Sequence, residues 1–174
     1  MSQDLVKSIR LDPNYKKFGR IVETIRSRVN LTDIQNEALG LHASRSSRNM
    51  YGEGRYSPSI IIDASLKDLS FRARLVEMRV KLDIEVSSLS EAMAAVKNHI
   101  STEYADEIQD EFKNVGERKN FVDRCVKNSN QFLSDSEAVI STLDHLIKDL
   151  DQGSFYLKNV IETLKVVAMG GKVI

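Results

Sequence analysis

The residues best suited to chemistry lie in the stretch 42–57, which follows neither a helical nor a strand period. Its cations and flat rings are Arg45, Arg48, Tyr51, Arg55 and Tyr56. Guanidinium groups bind phosphate oxygens, and tyrosine rings stack on unpaired bases. A single carboxylate, Glu53, opposes them. The stretch therefore predicts a binding segment for single-stranded nucleic acid. The alternative is a connecting loop whose arginines serve only solubility.

A second group of candidates is a run of carboxylates at helical spacing. Its members are Glu103, Asp106, Glu107, Asp110 and Glu111. Carboxylates three and four residues apart share a helix face and can ligate Mg²⁺ for phosphate chemistry. The run resembles that of all-α nucleotide pyrophosphohydrolases, which implies a second acidic pair on a facing helix. Only Glu117 and Asp123 lie nearby, without the spacing of such a pair. A solvated acidic face is the expectation, and a hydrolase is the alternative.

Other reactive residue types lack partners in the sequence. His145 and Asp149 share a helix face as metal ligands would, but no second His or Cys stands at a matching distance. Cys125 has no histidine close in sequence, which favours a buried thiol over a nucleophile. No glycine-rich phosphate loop, Ser/His/Asp set or Cys-x-x-Cys motif is present. We expect no catalytic residue, no metal site and no cofactor, and therefore no enzyme.

Long helices must carry these residues. Between Pro58 and Gly170 the chain has 111 residues with no proline and only two glycines, Gly116 and Gly153. Helix breakers normally recur every ten or twenty residues, so their absence predicts helices far longer than three turns. The principal helix is predicted from Ser65 to about Asn114, because apolar residues recur there at steps of three and four.

Shorter elements are predicted in front of the principal helix. Asp12 caps and Pro13 opens a helix over about 13–29, and Thr32 with Gln35 forms a capping box for a helix to about 43. The segment before Asp12 is either a short helix or a loose arm. Residues 60–62, three isoleucines, predict a short extended run.

Behind the principal helix, the chain is predicted to reverse and return. Gly116 stands where a left-handed helix cap would be, and the return segment weakens at 128–130 and restarts at Ser134. Gly153 either interrupts this helix or is tolerated within it, and Gly170-Gly171 ends it. A long helical hairpin results.

The predicted fold is therefore all-α: an elongated helical bundle built on a long hairpin. Its parts are N-terminal helices over 1–44, the basic-aromatic loop over 45–64 and the hairpin over 65–174. The hairpin exposes more apolar stripe than the short helices can cover, so we expect a homo-oligomer. Charge is unevenly distributed, since residues 1–60 hold ten Lys and Arg against six Asp and Glu, and residues 101–174 hold nine against thirteen. This distribution suits self-association or an anionic partner held at the basic end, and chance is the alternative explanation.

The chain shows no signal peptide and no run of apolar residues able to span a bilayer. A single cysteine fits a reducing compartment. We expect a soluble cytoplasmic protein that has no membrane partner.

A helix leading into residues 47–56, Ser-Arg-Asn-Met-Tyr-Gly-Glu-Gly-Arg-Tyr, followed by long amphipathic helices, resembles phage recombination mediators of the UvsY type. The resemblance covers about residues 30–100. It implies a non-enzymatic oligomer whose basic-aromatic segment contacts single-stranded DNA and whose partner is a recombinase. Those mediators are shorter and more basic, and residues 117–174 have no counterpart in them. A structural or adaptor protein working only through helix–helix contacts is the alternative.

Overall fold

The computed structural model describes residues 2–45, 57–168 and 170, and every regular element in these residues is an α-helix. The helices are α1 (Ser2–Leu11), α2 (Pro13–Arg28), α3 (Leu31–Ala43), α4 (Pro58–Glu103), α5 (Ala105–Glu111), α6 (Val115–Cys125) and α7 (Lys127–Ala168). The prediction of an all-α fold is confirmed. The segment before Asp12 is a helix rather than a loose arm.

The two long helices, α4 with 46 residues and α7 with 42, pack antiparallel to each other. Their residues belong to two compact units. Unit 1 comprises residues 1–31 and 82–138, and unit 2 comprises residues 32–81 and 139–174. Within unit 2, Arg72 of α4 pairs with Asp151 of α7, and Arg79 of α4 pairs with Asp144 of α7. A step of seven residues forward along α4 therefore corresponds to a step of seven residues backward along α7, as expected for antiparallel helices. The predicted hairpin of antiparallel helices is confirmed.

Unit 1 is built on the N-terminal helices and the second half of α4. The core side chains are mostly apolar, and those from α2, α4 and α6 include Phe18, Ile25, Leu89, Ile100 and Phe121. Helix α2 begins as predicted: the Asp12 carboxylate accepts hydrogen bonds from the backbone N–H groups of Asn14 (2.7 Å) and Tyr15 (3.0 Å). A cap of this kind satisfies donors that a helix N-terminus leaves free.

Unit 2 is a three-helix arrangement of α3, the first half of α4 and the second half of α7. Its core includes Ala38, Ile61, Leu75, Leu143 and Leu150, each at most 1% exposed. Arg74 of α4 donates to Glu37 of α3 at 2.7 Å on the surface above this core. The predicted apolar spacing of both long helices therefore corresponds to buried side chains.

Helix α4 begins earlier than predicted. Its first residue is Pro58, so the isoleucines at 60–62 are helical and the predicted extended run is wrong. The Ser57 hydroxyl accepts from the N–H of Ile60 at 3.3 Å, and proline suits the first helical position. Ile61 is fully buried, which the helix achieves by pointing one of the three side chains at the core. Ser65, the predicted start of this helix, lies inside it and donates to the Ile61 carbonyl at 2.8 Å.

The predicted helix to Asn114 is interrupted at Tyr104. Tyr104 has φ −109° and ψ 27°, and α5 follows it. Hydrogen bonding continues on both sides, from Tyr104 N to Ile100 O (3.2 Å) and from Ile108 N to Tyr104 O (2.9 Å), so the interruption is a local bend. The Tyr104 hydroxyl lies 3.4 Å from Asp12 Oδ2, which holds the bend against the turn before α2.

The reversal after α5 also differs from the prediction. Gly116 lies in the first turn of α6, and among the described residues only Gly170 has a positive φ, of 69°. Asn114 caps α6 by accepting from the Gly116 N–H at 2.8 Å. Arg118 then donates to the Phe112 carbonyl at 2.7 Å, so side chains close the turn and no left-handed glycine is needed there.

Helix α7 is longer than predicted. It begins at Lys127, directly after a bend at Val126, and runs through Ser134 and Gly153 without a break. Val126 is 2% exposed, so burial of this side chain fixes the bend. Gly153 is tolerated inside the helix, as one of the two alternatives foresaw. The helix ends at Ala168, before the left-handed Gly170.

Asp12 is expected to contribute measurably to the stability of unit 1. Burial raises the pKa of this carboxyl, but hydrogen bonds from Tyr15 N–H, His99 and Asn14 N–H together bring the pKa below its ordinary value. The charged form therefore stabilises the fold above about pH 4, and this stabilisation is lost as pH falls through the lower folded pKa. Asp12→Ala should cost about 1–2 kcal/mol at neutral pH.

The control is Asp12→Asn, because asparagine also caps helices but carries no charge. In urea titrations at several pH values, Asp12→Asn should retain more stability than Asp12→Ala at neutral pH and should lose the Asp12 contribution to acid sensitivity. Equal stability of Asp12→Ala and the parent would contradict this account.

Candidate interaction surface

Helix α4 carries a second line of apolar side chains, outside the core of unit 2. Its members are Ile62, Leu66, Leu69, Ala73, Val76 and Val80, which we call the outer stripe. Four of them are large and about half exposed or more: Ile62 (52%), Leu66 (61%), Leu69 (56%) and Val80 (46%). The steps of four, three, four, three and four residues are those of a coiled-coil seam.

The outer stripe does not face the core. Side chains advance by about 100° per residue around a helix, which places the outer stripe about 150° from the buried side chains of Ile61, Leu75 and Met78. The first half of α4 is therefore apolar on two nearly opposite faces. One face is buried within unit 2, and the other is left at the surface of the described residues.

Charged residues border the outer stripe, and several of them are paired with neighbours in the same unit. On one side, Arg72 pairs with Asp151 at 2.5 Å and Arg79 with Asp144 at 3.2 Å. The hydrogen bond from Arg72 to Asp151 raises the pKa of that guanidinium. A partner that covers the stripe would thus meet balanced charges at its edge.

On the other side of the stripe, Glu77 accepts from Lys81 at 2.6 Å and from Arg74 at 3.0 Å. The hydrogen bonds from Lys81 and Arg74 lower the pKa of the Glu77 carboxyl. This edge is balanced by pairs within α4 itself.

A shallow groove between α4 and α7 extends the apolar surface. Its lining includes Leu66 and Leu69 from the outer stripe and, from α7, Ile161 together with the charged residues Lys158, Glu162 and Lys165. The groove therefore combines apolar side chains with charges of both signs. Phe155 of α7 is 65% exposed on the same unit.

The first residues of the stretch 42–57 are held in unit 2 by a cluster of three side chains, His42, Arg45 and Asp149. His42, at the end of α3, donates from Nε2 to Asp149 Oδ2 at 2.5 Å, and Arg45 donates from Nη1 to the same oxygen. The side chains of His42 and Arg45 are 14% and 12% exposed, whereas that of Asp149 is 42% exposed. The hydrogen bond from His42 lowers the pKa of Asp149 against the effect of burial, and the charge of Arg45 adds to this.

The predicted nucleic-acid residues fall into two groups. Arg45 is paired with Asp149 and largely buried, so its charge is already balanced inside unit 2. The other four, Arg48, Tyr51, Arg55 and Tyr56, lie outside the described residues.

The candidate metal-ligating residues of the sequence do not form a metal site among the described residues. Over residues 2–45, 57–168 and 170, no group of three or more His, Cys, Asp and Glu side chains could hold a metal ion. Asp123, one of the two residues considered as a facing acid, pairs with Lys97 at 2.8 Å. His145 is exposed, while Asp149 binds His42 instead. Among the helices of the described residues, none combines the length and apolar character needed to cross a bilayer.

Comparison with known proteins gives no family to which the chain can be assigned: no family model, curated protein or solved structure matches it. The resemblance to UvsY-type mediators stays a prediction.

Sequence reasoning missed two parts of this surface. The outer stripe could have been found, since its heptad spacing is visible in the sequence beside the buried one. The His42–Asp149 pair joins residues 107 positions apart, and no local spacing announces it.

Asp149 is expected to hold the junction between α3 and the basic-aromatic stretch. Asp149→Asn removes the carboxylate charge to which the largely buried Arg45 and His42 side chains donate, and should cost about 1–3 kcal/mol of stability in urea unfolding at neutral pH. The parent should lose this contribution below about pH 4, because the pKa of Asp149 is lowered in the folded state.

Asp151→Asn is the matched control, since Asp151 also accepts from an arginine but both partners are more than a third exposed. It should cost no more than about 1 kcal/mol. Equal effects of the two substitutions would show that burial of the cluster contributes nothing.

Proposed function

We propose that this protein is a non-enzymatic helical scaffold that assembles with further copies of itself through the outer stripe of α4. The observation that supports this most directly is the exposure of four large apolar side chains at coiled-coil spacing on one helix face. Single exposed apolar residues are ordinary, but a line of them marks an interaction surface.

A second copy is the occupant that best fits the chemistry of the stripe. Seams of Ile, Leu and Val at these steps are self-complementary, because the same side chains can fill the gaps of an identical helix. Charged residues at the two edges of the stripe already form ion pairs within the chain, which limits repulsion between the edges of two identical copies. These pairs are Arg72–Asp151, Arg79–Asp144, Arg74–Glu77 and Lys81–Glu77. Self-association therefore needs no charged partner.

The stripe predicts a specific effect on assembly. Leu66→Glu and Leu69→Glu place carboxylates on the seam, and each should weaken self-association by about tenfold or more, since a buried leucine contributes about 1.5 kcal/mol or more. Sedimentation velocity over a concentration series would measure this.

The control is Val115→Glu, which changes a side chain that is 76% exposed in unit 1 and leaves the stripe intact. All variants should keep the helix content of the parent by circular dichroism, since the altered side chains lie outside the core. A monomeric parent, or unchanged association of both leucine variants, would rule out the stripe as the interface.

Binding of single-stranded nucleic acid is the second candidate function. It is supported by the two arginines and two tyrosines within residues 46–56 against one glutamate. With Arg45 paired to Asp149, the proposed contact set is Arg48, Tyr51, Arg55 and Tyr56. A protein that joins self-association to such a segment could act as a mediator for a recombinase, as the UvsY-type resemblance implies.

The two residue types should affect binding differently. Replacing Arg48 and Arg55 by alanine should weaken binding to any single strand and reduce its salt slope by about 0.7 per lost phosphate contact. Replacing Tyr51 and Tyr56 by alanine should cost about 1–3 kcal/mol per stacked base and leave the salt slope almost unchanged. Fluorescence anisotropy with a labelled oligonucleotide at several salt concentrations would separate them.

Matched controls lie on other helices. Lys16→Ala with Arg20→Ala removes two exposed cations of α2, and Phe155→Ala removes an exposed ring of α7. If the parent does not bind, or if the control pair weakens binding as much as the Arg48 and Arg55 pair, the segment is not a nucleic-acid site.

A further inference from the structure

Unit 1 contains a cavity between α1, the start of α2 and α6. The cavity has a volume of about 230 Å³ and is lined by Val6, Ile9, Arg10, Tyr15, Phe121, Arg124 and Cys125. Ile9 and Phe121 are 1% and 3% exposed, so its deep walls are part of the core. A cavity of about 150 Å³ already accepts a benzene ring, so this one has room for a ring and a small polar group.

The polar groups of the walls are unequal in their availability. The Tyr15 hydroxyl donates to the Cys125 carbonyl at 2.7 Å, and this hydrogen bond holds the tyrosine ring in place at the side of the cavity. Arg10 and Arg124 are exposed residues, and no carboxylate is among the described residues that line the cavity. The cavity is thus apolar in depth and positively charged at its opening.

The positive charges of Arg10 and Arg124 both influence the Cys125 thiol in the cavity wall. Burial raises the pKa of the Cys125 thiol, and the charges of Arg124 and Arg10 oppose this rise. Arg10 stands in the last turn of α1 and Arg124 in the last turn of α6. Cations are favourable at helix C-termini, but that preference alone does not require two of them to line one cavity.

We propose that this cavity binds a small oxyanion, a carboxylate or a phosphate, carried on an aromatic or compact apolar group. The apolar group would contact Val6, Ile9 and Phe121, and the oxyanion would accept hydrogen bonds from Arg10 and Arg124. Arginine suits this role because its planar donors match the oxygens of carboxylate and phosphate groups. The proposal is independent of the outer stripe and of nucleic-acid binding.

Cys125 is the only cysteine of the chain and gives a direct reporter. The full-length protein would be alkylated with iodoacetamide, and the rate followed by mass spectrometry, with and without phenyl phosphate or phenylacetate. Because the substitutions themselves can alter thiol reactivity, the quantity compared is the ratio of rates with and without the probe in each variant. We expect at least one of the two probes to protect Cys125, and the better one identifies the oxyanion.

Inorganic phosphate and benzyl alcohol test each half of the ligand alone, and both should protect far less. Arg10→Gln and Arg124→Gln should each weaken binding by about tenfold, whereas Arg20→Gln, at an exposed position of α2, should leave it unchanged. Val6→Phe should abolish protection by filling the cavity while keeping both arginines. Chemical shifts of Ile9 and Phe121 would confirm that a protecting probe occupies the cavity.

Three results would overturn the proposal. The first is that neither phenyl phosphate nor phenylacetate changes the alkylation rate or the chemical shifts. The second is that the Arg10 and Arg124 variants bind as the Arg20 variant does. The third is that inorganic phosphate binds as tightly as phenyl phosphate, since the apolar walls would then play no part.

Discussion

Burial of one apolar face of α4 is the interaction on which the other elements depend. This helix contributes fully buried side chains to both units, Ile61 and Leu75 in unit 2 and Leu89 and Ile100 in unit 1. A helix of 46 residues gains little stability from its own hydrogen bonds, so its persistence requires partners along its length. In unit 1 these include α2 and α6, and in unit 2 they are α3 and α7. The shorter helices are positioned by the need to cover α4.

The other helices do not cover all of the apolar surface of α4. Ile62, Leu66 and Leu69 are apolar but point away from the side chains that unit 2 buries. Solvation alone would favour polar residues at these positions, as it does at Lys67 and Ser70 nearby. A face that keeps apolar residues at heptad steps is better explained by contact with another helix than by contact with water. The paired charges along its edges are compatible with this, because they need no counterion from a partner.

Local signals made much of the fold predictable. Asp12 with Pro13 marked the start of α2, and the unbroken three- and four-residue steps marked the core of both long helices. Errors arose where tertiary contacts or overlooked caps decide the backbone. Isoleucine is common in strands, so three in a row favour a strand, but Ser57 and Pro58 start a helix there. The bend at Tyr104 coincides with a contact to Asp12, which lies 92 residues away in the sequence. The Asp149 cluster and the cavity of unit 1 join distant segments and could not be inferred from spacing.

Charge is used differently in the two units, and this limits what each can bind. In unit 2, Arg45, Arg72 and Arg79 face carboxylates of α7, so the charges of these arginines are balanced within the unit. In unit 1, Arg10 and Arg124 border a cavity whose described walls hold no carboxylate. An anion approaching the described residues therefore meets arginines already paired with carboxylates beside the outer stripe, and two arginines with no carboxylate among the described lining of the cavity. Assembly and anion binding would accordingly occur at separate places and respond differently to salt, because screening weakens charge interactions but leaves the burial of leucine side chains intact.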